Sequence, residues 1–219
     1  MAAKKSTGKQ TLPFRHHLVL HQWLFSLFGF ESLSGQYPVS ERDAPTLEAF
    51  RDRFQLMGET TGRNAEGEHR LLQRMRENLS GDVLLSDAQL LDYDRRIKAL
   101  TDTINDARQT AAEEPIEWKY FQYLMLLFTE VYLDYLFTKP EQLLSGLNQQ
   151  IERWNAHWLD QEGFAHKPLA PLNPEDDLWP QLNMVAYWSA TGSGKTLIMH
   201  ANILQYRFYL QRYGKAGDI

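Results

Sequence analysis

Residues 120–137 read Tyr-Phe-Gln-Tyr-Leu-Met-Leu-Leu-Phe-Thr-Glu-Val-Tyr-Leu-Asp-Tyr-Leu-Phe. Gln122, Glu130 and Asp134 interrupt this otherwise apolar run. Lipid has no water to solvate such groups, so the run predicts a helix buried in protein rather than one crossing a bilayer. Pro115 suits a first helical turn, where a missing N–H costs little, and the helix is predicted over 115–137. A helix apolar nearly all round belongs in the middle of a bundle.

The flanking segments supply the rest of such a bundle. C-terminal to the run, Thr138 and Glu141 form a capping box, the hydroxyl and the carboxylate each able to bind an orphan backbone N–H. The helix it predicts carries Leu143, Leu144, Leu147, Ile151, Trp154 and Trp158 as one stripe. N-terminal to the run, Ser86 and Gln89 form another box. Its helix places Leu90, Leu91, Ile97, Leu100 and Ile104 on one side. Shorter helices are expected around 68–78, over 46–57 (Leu47, Phe50, Phe54, Met57) and over 14–30. Gly35, Pro38 and Pro45 make 31–45 a loop, and 58–67 is a polar stretch. Residues 1–11, with Lys4, Lys5 and Lys9, read as a disordered, solubilising tail, and 12–160 as an all-α domain.

The pattern then changes twice. Pro168, Pro171, Pro174 and Pro180, with Glu175, Asp176 and Asp177, make 161–181 a proline-rich linker and the expected domain boundary. Residues 182–188 (Leu-Asn-Met-Val-Ala-Tyr-Trp) suit a buried parallel strand. A small-residue loop and a helical pattern from Lys195 to about residue 213 follow.

The chain has 219 residues, no cysteine and a formal net charge of −5. Residues 1–160 carry −5, 161–181 carry −3 and 182–219 carry +3. A uniformly basic nucleic-acid binder is excluded, and the acidic balance of 1–160 favours a protein partner there. Without cysteine there is no disulfide framework, thiol nucleophile or Cys-based zinc site. With no secretory pattern and no spanning helix, the expected location is the cytoplasm, away from membranes.

One motif carries chemistry: Ser189-Ala190-Thr191-Gly192-Ser193-Gly194-Lys195-Thr196. Gly192 and Gly194 permit positive φ and close approach of backbone to phosphate. Successive N–H groups and the positive end of the following helix then face one anion. Lys195 is placed to meet the β- and γ-phosphates, and the Thr196 hydroxyl to ligate Mg²⁺. The general phosphate-loop pattern has Gly where this chain has Ser189.

Ala190 through Thr196 resembles motif I of superfamily 2 helicases, the DEAD/DEAH-box and restriction-subunit kind, in which a small residue replaces that first Gly. The flanks, Val185-Ala186-Tyr187-Trp188 and Leu197-Ile198-Met199-His200, look most like the translocases of type III restriction and phage-defence systems. The resemblance covers about residues 182–213. It implies an ATP-dependent helicase or translocase acting on nucleic acid, DNA in preference to RNA, with a nuclease or methyltransferase as partner. It implies ATP and Mg²⁺ as cofactors. Ala190, Thr191, Gly192, Ser193, Gly194, Lys195 and Thr196 would bind the nucleotide, Lys195 would be catalytic, and Thr196 would hold the metal. The expected fold is a mostly α N-terminal domain followed by the first strand, phosphate loop and helix of an α/β RecA-like domain over 182–219. Motif II, Asp-Glu-x-x, and an arginine finger are expected beyond it, so the chain reads as the N-terminal part of a longer protein. Relatives read adenine with an upstream Gln. Gln181 stands nearest, at a shorter spacing than theirs.

Two other classes fit the same residues: a different phosphate-loop ATPase, and a helical protein-interaction module without catalysis. Weaker signals have plainer explanations. His17 and His21 share a helical face but lack a third metal ligand, and read as packing or surface residues. Trp154, His157 and Trp158 suggest base stacking, yet the apolar stripe explains the tryptophans as core. Asp176 and Asp177 read as a solvated turn.

Overall fold

The computed structural model describes residues 18–29, 61–77, 83–158, 167–173, 182, 185–187 and 191–214. The helices among them are α1 (Val19–Leu27), α2 (Arg70–Glu77), α3 (Asp87–Thr110), α4 (Tyr120–Thr138), α5 (Pro140–Trp158) and α6 (Lys195–Tyr213). The helix predicted for 46–57, the loop 31–45 and the tail 1–11 lie outside the described residues.

The apolar run forms α4 at the centre of the bundle. Helices α1, α3, α5 and α6 all pack against it, and residues 126–133 are buried without a break. One hydrophobic cluster takes side chains from every helix, from Trp23 of α1 through Leu72 of α2 to Tyr209 of α6. Each large side chain so buried contributes roughly 1.5–3 kcal/mol, which is why a helix with no polar face is stable here.

α4 starts at Tyr120 rather than near Pro115. The preceding strap stays extended because its polar groups bind α3. Ile116 N–H donates to Asn105 Oδ1 at 2.7 Å, and the Trp118 indole N–H donates to Thr101 Oγ1 at 2.7 Å. Winding 115–119 into helix would break both bonds. Thr138 also differs from expectation: its hydroxyl donates back to the Asp134 carbonyl at 2.6 Å, within α4. Pro140 takes the first position of α5, as its fixed φ allows. The box at Ser86 forms as predicted, with Ser86 N–H donating to Gln89 Oε1 at 3.0 Å and Gln89 N–H donating to Ser86 Oγ at 3.3 Å.

Part of the expected linker is pinned. Asn155 brackets Leu169, its amide bonding both backbone groups at 2.8 Å. Asn148 brackets Leu172 likewise, at 2.8 and 2.7 Å. Seven residues of helix rise about 10.5 Å, and three of polyproline II about 9.3 Å. The two spacings match, so a proline-rich segment runs antiparallel along one face of α5.

The expected strand–loop–helix unit of an α/β RecA-like domain is corrected by the structure. Among the described residues there is no strand and no sheet, and the one isolated backbone bridge joins Arg63 to His69. A lone strand leaves its ladder groups unpaired. Residues 185–187 are instead tied to α4 by side chains: Thr129 Oγ1 donates to the Met125 carbonyl at 2.9 Å and accepts from the Tyr187 hydroxyl at 2.5 Å. Nearby, the Tyr132 hydroxyl donates to the Leu182 carbonyl. α6 lays Ile198, Ala201, Gln205 and Tyr209, one helical stripe, into the bundle against α4. The chain is mostly helical from end to end of the described residues.

Candidate functional site

The motif sits where chain enters α6. Gly192 and Gly194 both adopt positive φ, +79° and +85°, in the region that Cβ-bearing residues avoid. For Gly192 the backbone angle is the whole requirement, since a Cβ there would meet nothing. At Gly194 a Cβ would also lie 2.7 Å from Gln122 Nε2. Gly194 is the N-cap of α6 and offers no side-chain acceptor, and the first turn contains no acidic residue.

The first N–H groups of any α-helix lack intrahelical partners. Here Lys195 adds a full positive charge to the positive end of the dipole, an arrangement that costs about 0.3–1 kcal/mol unless an anion offsets it. Lys195 and Thr196 are exposed, as are Thr191 and Gly192, while Ser193 and Gly194 are half-buried. Ala190 and Gln181 lie outside the described residues. The arrangement can do one thing chemically: satisfy several oxygens of an anion at once. Among the described residues, no cluster of three or more His, Asp or Glu suited to a metal occurs.

The loop is tied to the bundle by Gln122 in the first turn of α4. Its Oε1 accepts Lys119 N–H at 3.0 Å, and its Nε2 donates to the Ser193 carbonyl at 2.9 Å. Beside the loop, a groove of about 440 Å³ opens between α4 and α6. Lys195, Asn202 and Arg207 line it together with apolar side chains, among them Met125, Leu133 and Ile203.

α6 is fastened further along by a buried carboxylate. Glu130 is 2% exposed. It accepts from Arg96 Nε at 3.0 Å, from Gln205 Nε2 at 2.9 Å and from the Tyr209 hydroxyl at 3.0 Å. Burial pushes its pKa up, and the bonds from Gln205, Arg96 and Tyr209 pull it back. An unpaired charge there would be very costly, so these partners are what permit an acid in the buried centre of α4. The sequence flagged Glu130 as an interruption. Nothing in local spacing could name partners 34, 75 and 79 residues away.

The remaining buried polar cluster is internally satisfied. Asp94 accepts from Arg63 at 2.8 Å, from the Tyr123 hydroxyl at 2.6 Å and from His69 N–H at 3.2 Å. The His69 ring stacks on Tyr123 at 3.7 Å. Its Nε2 faces the Trp118 carbonyl at 3.3 Å, which only a donor can satisfy. Its Nδ1 therefore accepts Leu71 N–H, at 3.2 Å. Burial lowers the His69 pKa to about 4.

His21 packs its ring against Phe25 at 4.0 Å, and burial lowers its pKa to about 4. His17, Asp176 and Asp177 lie outside the described residues. Trp154 and Trp158 are buried with Leu169 against them, so neither indole face is open for a base. Among the described residues, no helix is long and apolar enough to cross a membrane. No protein-family model, curated protein or solved structure matches this chain.

Proposed function

We propose that residues 190–196 bind the phosphates of ATP, and that the chain serves ATP-driven movement on nucleic acid, as superfamily 2 helicases and translocases do. The observation that carries the reading is the start of α6. Two glycines in positive φ lead into a helix with no capping side chain, no acid in its first turn and an exposed Lys195 beside Thr196. A polyphosphate supplies the acceptors and negative charge that this end lacks.

In this reading the N–H groups around Gly192, Ser193 and Gly194 hold phosphate oxygens, and Lys195 neutralises their charge. The Thr196 hydroxyl is the group of this chain that would hold Mg²⁺, which neutralises further charge on the phosphates when bound. The choice of a helicase over another phosphate-loop ATPase rests on the sequence from Ala190 to Thr196 and its flanks. DNA as the nucleic acid, a nuclease or methyltransferase partner and a cytoplasmic location belong to the same reading.

The test is equilibrium binding of ATP with Mg²⁺ to the whole chain, wild type against Lys195→Ala. Saturable binding lost in the variant is expected. Equal affinity in the two proteins would overturn the phosphate-loop assignment.

A further inference from the structure

We propose that Gln122 is the positioning residue of the loop, holding it in its anion-ready shape from the helical bundle. The inference rests on the phosphate-binding reading above. Three observations converge on this side chain. Its amide is used at both ends, Oε1 accepting the N-cap N–H of α4 and Nε2 donating to the Ser193 carbonyl. These two partners dictate which end is oxygen and which is nitrogen. It is also the atom group nearest to where a Gly194 Cβ would stand, so a side chain at that position would press on the bonded amide in addition to straining φ. Finally, Lys119 at the N-cap has no acceptor with which to complete a reciprocal box, so Gln122 serves α4 with one end only and the loop with the other.

The bond from Gln122 commits the Ser193 carbonyl to α4. The next residue, Gly194, accepts Ile198 N–H at 3.0 Å and so begins α6. One side-chain bond therefore joins the first turn of the central helix to the residue just before the N-cap of the loop helix. Preorganising a binding loop raises affinity by removing the entropy otherwise lost on ordering it.

Two substitutions separate the ends of the amide. Gln122→Glu keeps an acceptor for Lys119 N–H but cannot donate to Ser193. Gln122→Met removes both bonds without adding charge. In the full chain without ligand, both variants should keep the thermal midpoint within a few degrees. Both should speed amide hydrogen exchange at Ile198 and Met199 by about tenfold, through loss of the tie alone. ATP binding should weaken about tenfold in Gln122→Met and more in Gln122→Glu, whose charge repels phosphate.

Lys195→Ala provides the separate control, weakening binding about 100-fold while leaving exchange at Ile198 unchanged. Wild-type exchange at the start of α6 in both Gln122 variants would overturn the inference, whatever the binding result. So would wild-type affinity in Gln122→Met. Failure of the wild type itself to bind ATP would sink the phosphate reading and leave the tie to be judged on exchange.

Discussion

At the start of α3, Ser86 and Gln89 bind each other's backbone N–H groups, and Asp87 in the first turn meets Arg76 Nη2 at 2.6 Å. At the start of α6, Gly194 caps with no side chain and Lys195 stands where Asp87 stands in α3. The chain thus closes one helix end with its own atoms and leaves the other with surplus positive charge. Both ends belong to long helices in one core, so the difference is local chemistry rather than local stability. It teaches that an open end is a choice of residue types: acceptor and acid in one case, glycine and lysine in the other.

The largest effect should come from removing the charge that distinguishes the open end. Lys195→Ala should weaken ATP binding by about 100-fold, or roughly 2.8 kcal/mol at tenfold per 1.4 kcal/mol. Calorimetric titration checks it, and a loss below threefold would mean that the lysine does not face the anion.

A comparison of the two glycines comes next. Gly192→Ala should cost about 1 kcal/mol for its backbone angle alone. Gly194→Ala should cost about 2 kcal/mol, because its Cβ must also displace Gln122. Urea denaturation measures both. Equal costs would show that Gln122 yields freely.

A third helix end sharpens the contrast, since α2 is capped by a side chain that titrates. His69 accepts Leu71 N–H through Nδ1, and protonation there breaks the cap. Its folded pKa is about 4 against 6.5 in the unfolded chain, so the unfolded state takes up the proton first. The stability is complete above pH 6.5 and is lost as pH falls toward 4, by about 1.4 kcal/mol per pH unit. His69→Asn offers Leu71 a non-titrating acceptor and should reduce that slope in acid-denaturation curves, leaving the similar contribution of His21. An unchanged slope would assign it to other groups.

Breaking the closed end should have a smaller effect. Ser86→Ala should lower stability by about 1 kcal/mol and leave ATP binding untouched. Weakened binding would show that the two ends communicate. The smallest effect has the opposite sign. Without nucleotide, Lys195→Ala should stabilise the chain by about 0.3–1 kcal/mol by removing a cation from the positive end of α6. Destabilisation would mean that Lys195 has a structural role.

Residue types and short spacings were enough to read the apolar run as a central helix, Ser86 and Gln89 as a cap, and Gly192 and Gly194 as positions that take positive φ. Each depends on interactions within one turn or on burial of a whole face, which the order of residues specifies. Tertiary structure decided the rest. Residues 182–188 look like a strand by composition, but a strand forms only when another segment takes its backbone bonds, and among the described ones the Leu182 carbonyl and the Tyr187 hydroxyl bond to side chains of α4. Pro115 would permit a helical start, yet Asn105 and Thr101 hold the chain extended through bonds that local spacing does not specify. Gln122, Glu130 and Asp134 were visible as interruptions. That the first holds the loop, the second fastens α6, and the third accepts the Tyr93 hydroxyl at 2.9 Å follows only from which helices meet. A buried polar group must find a partner. Sequence shows the need, and the packing of helices distant along the chain selects the partner.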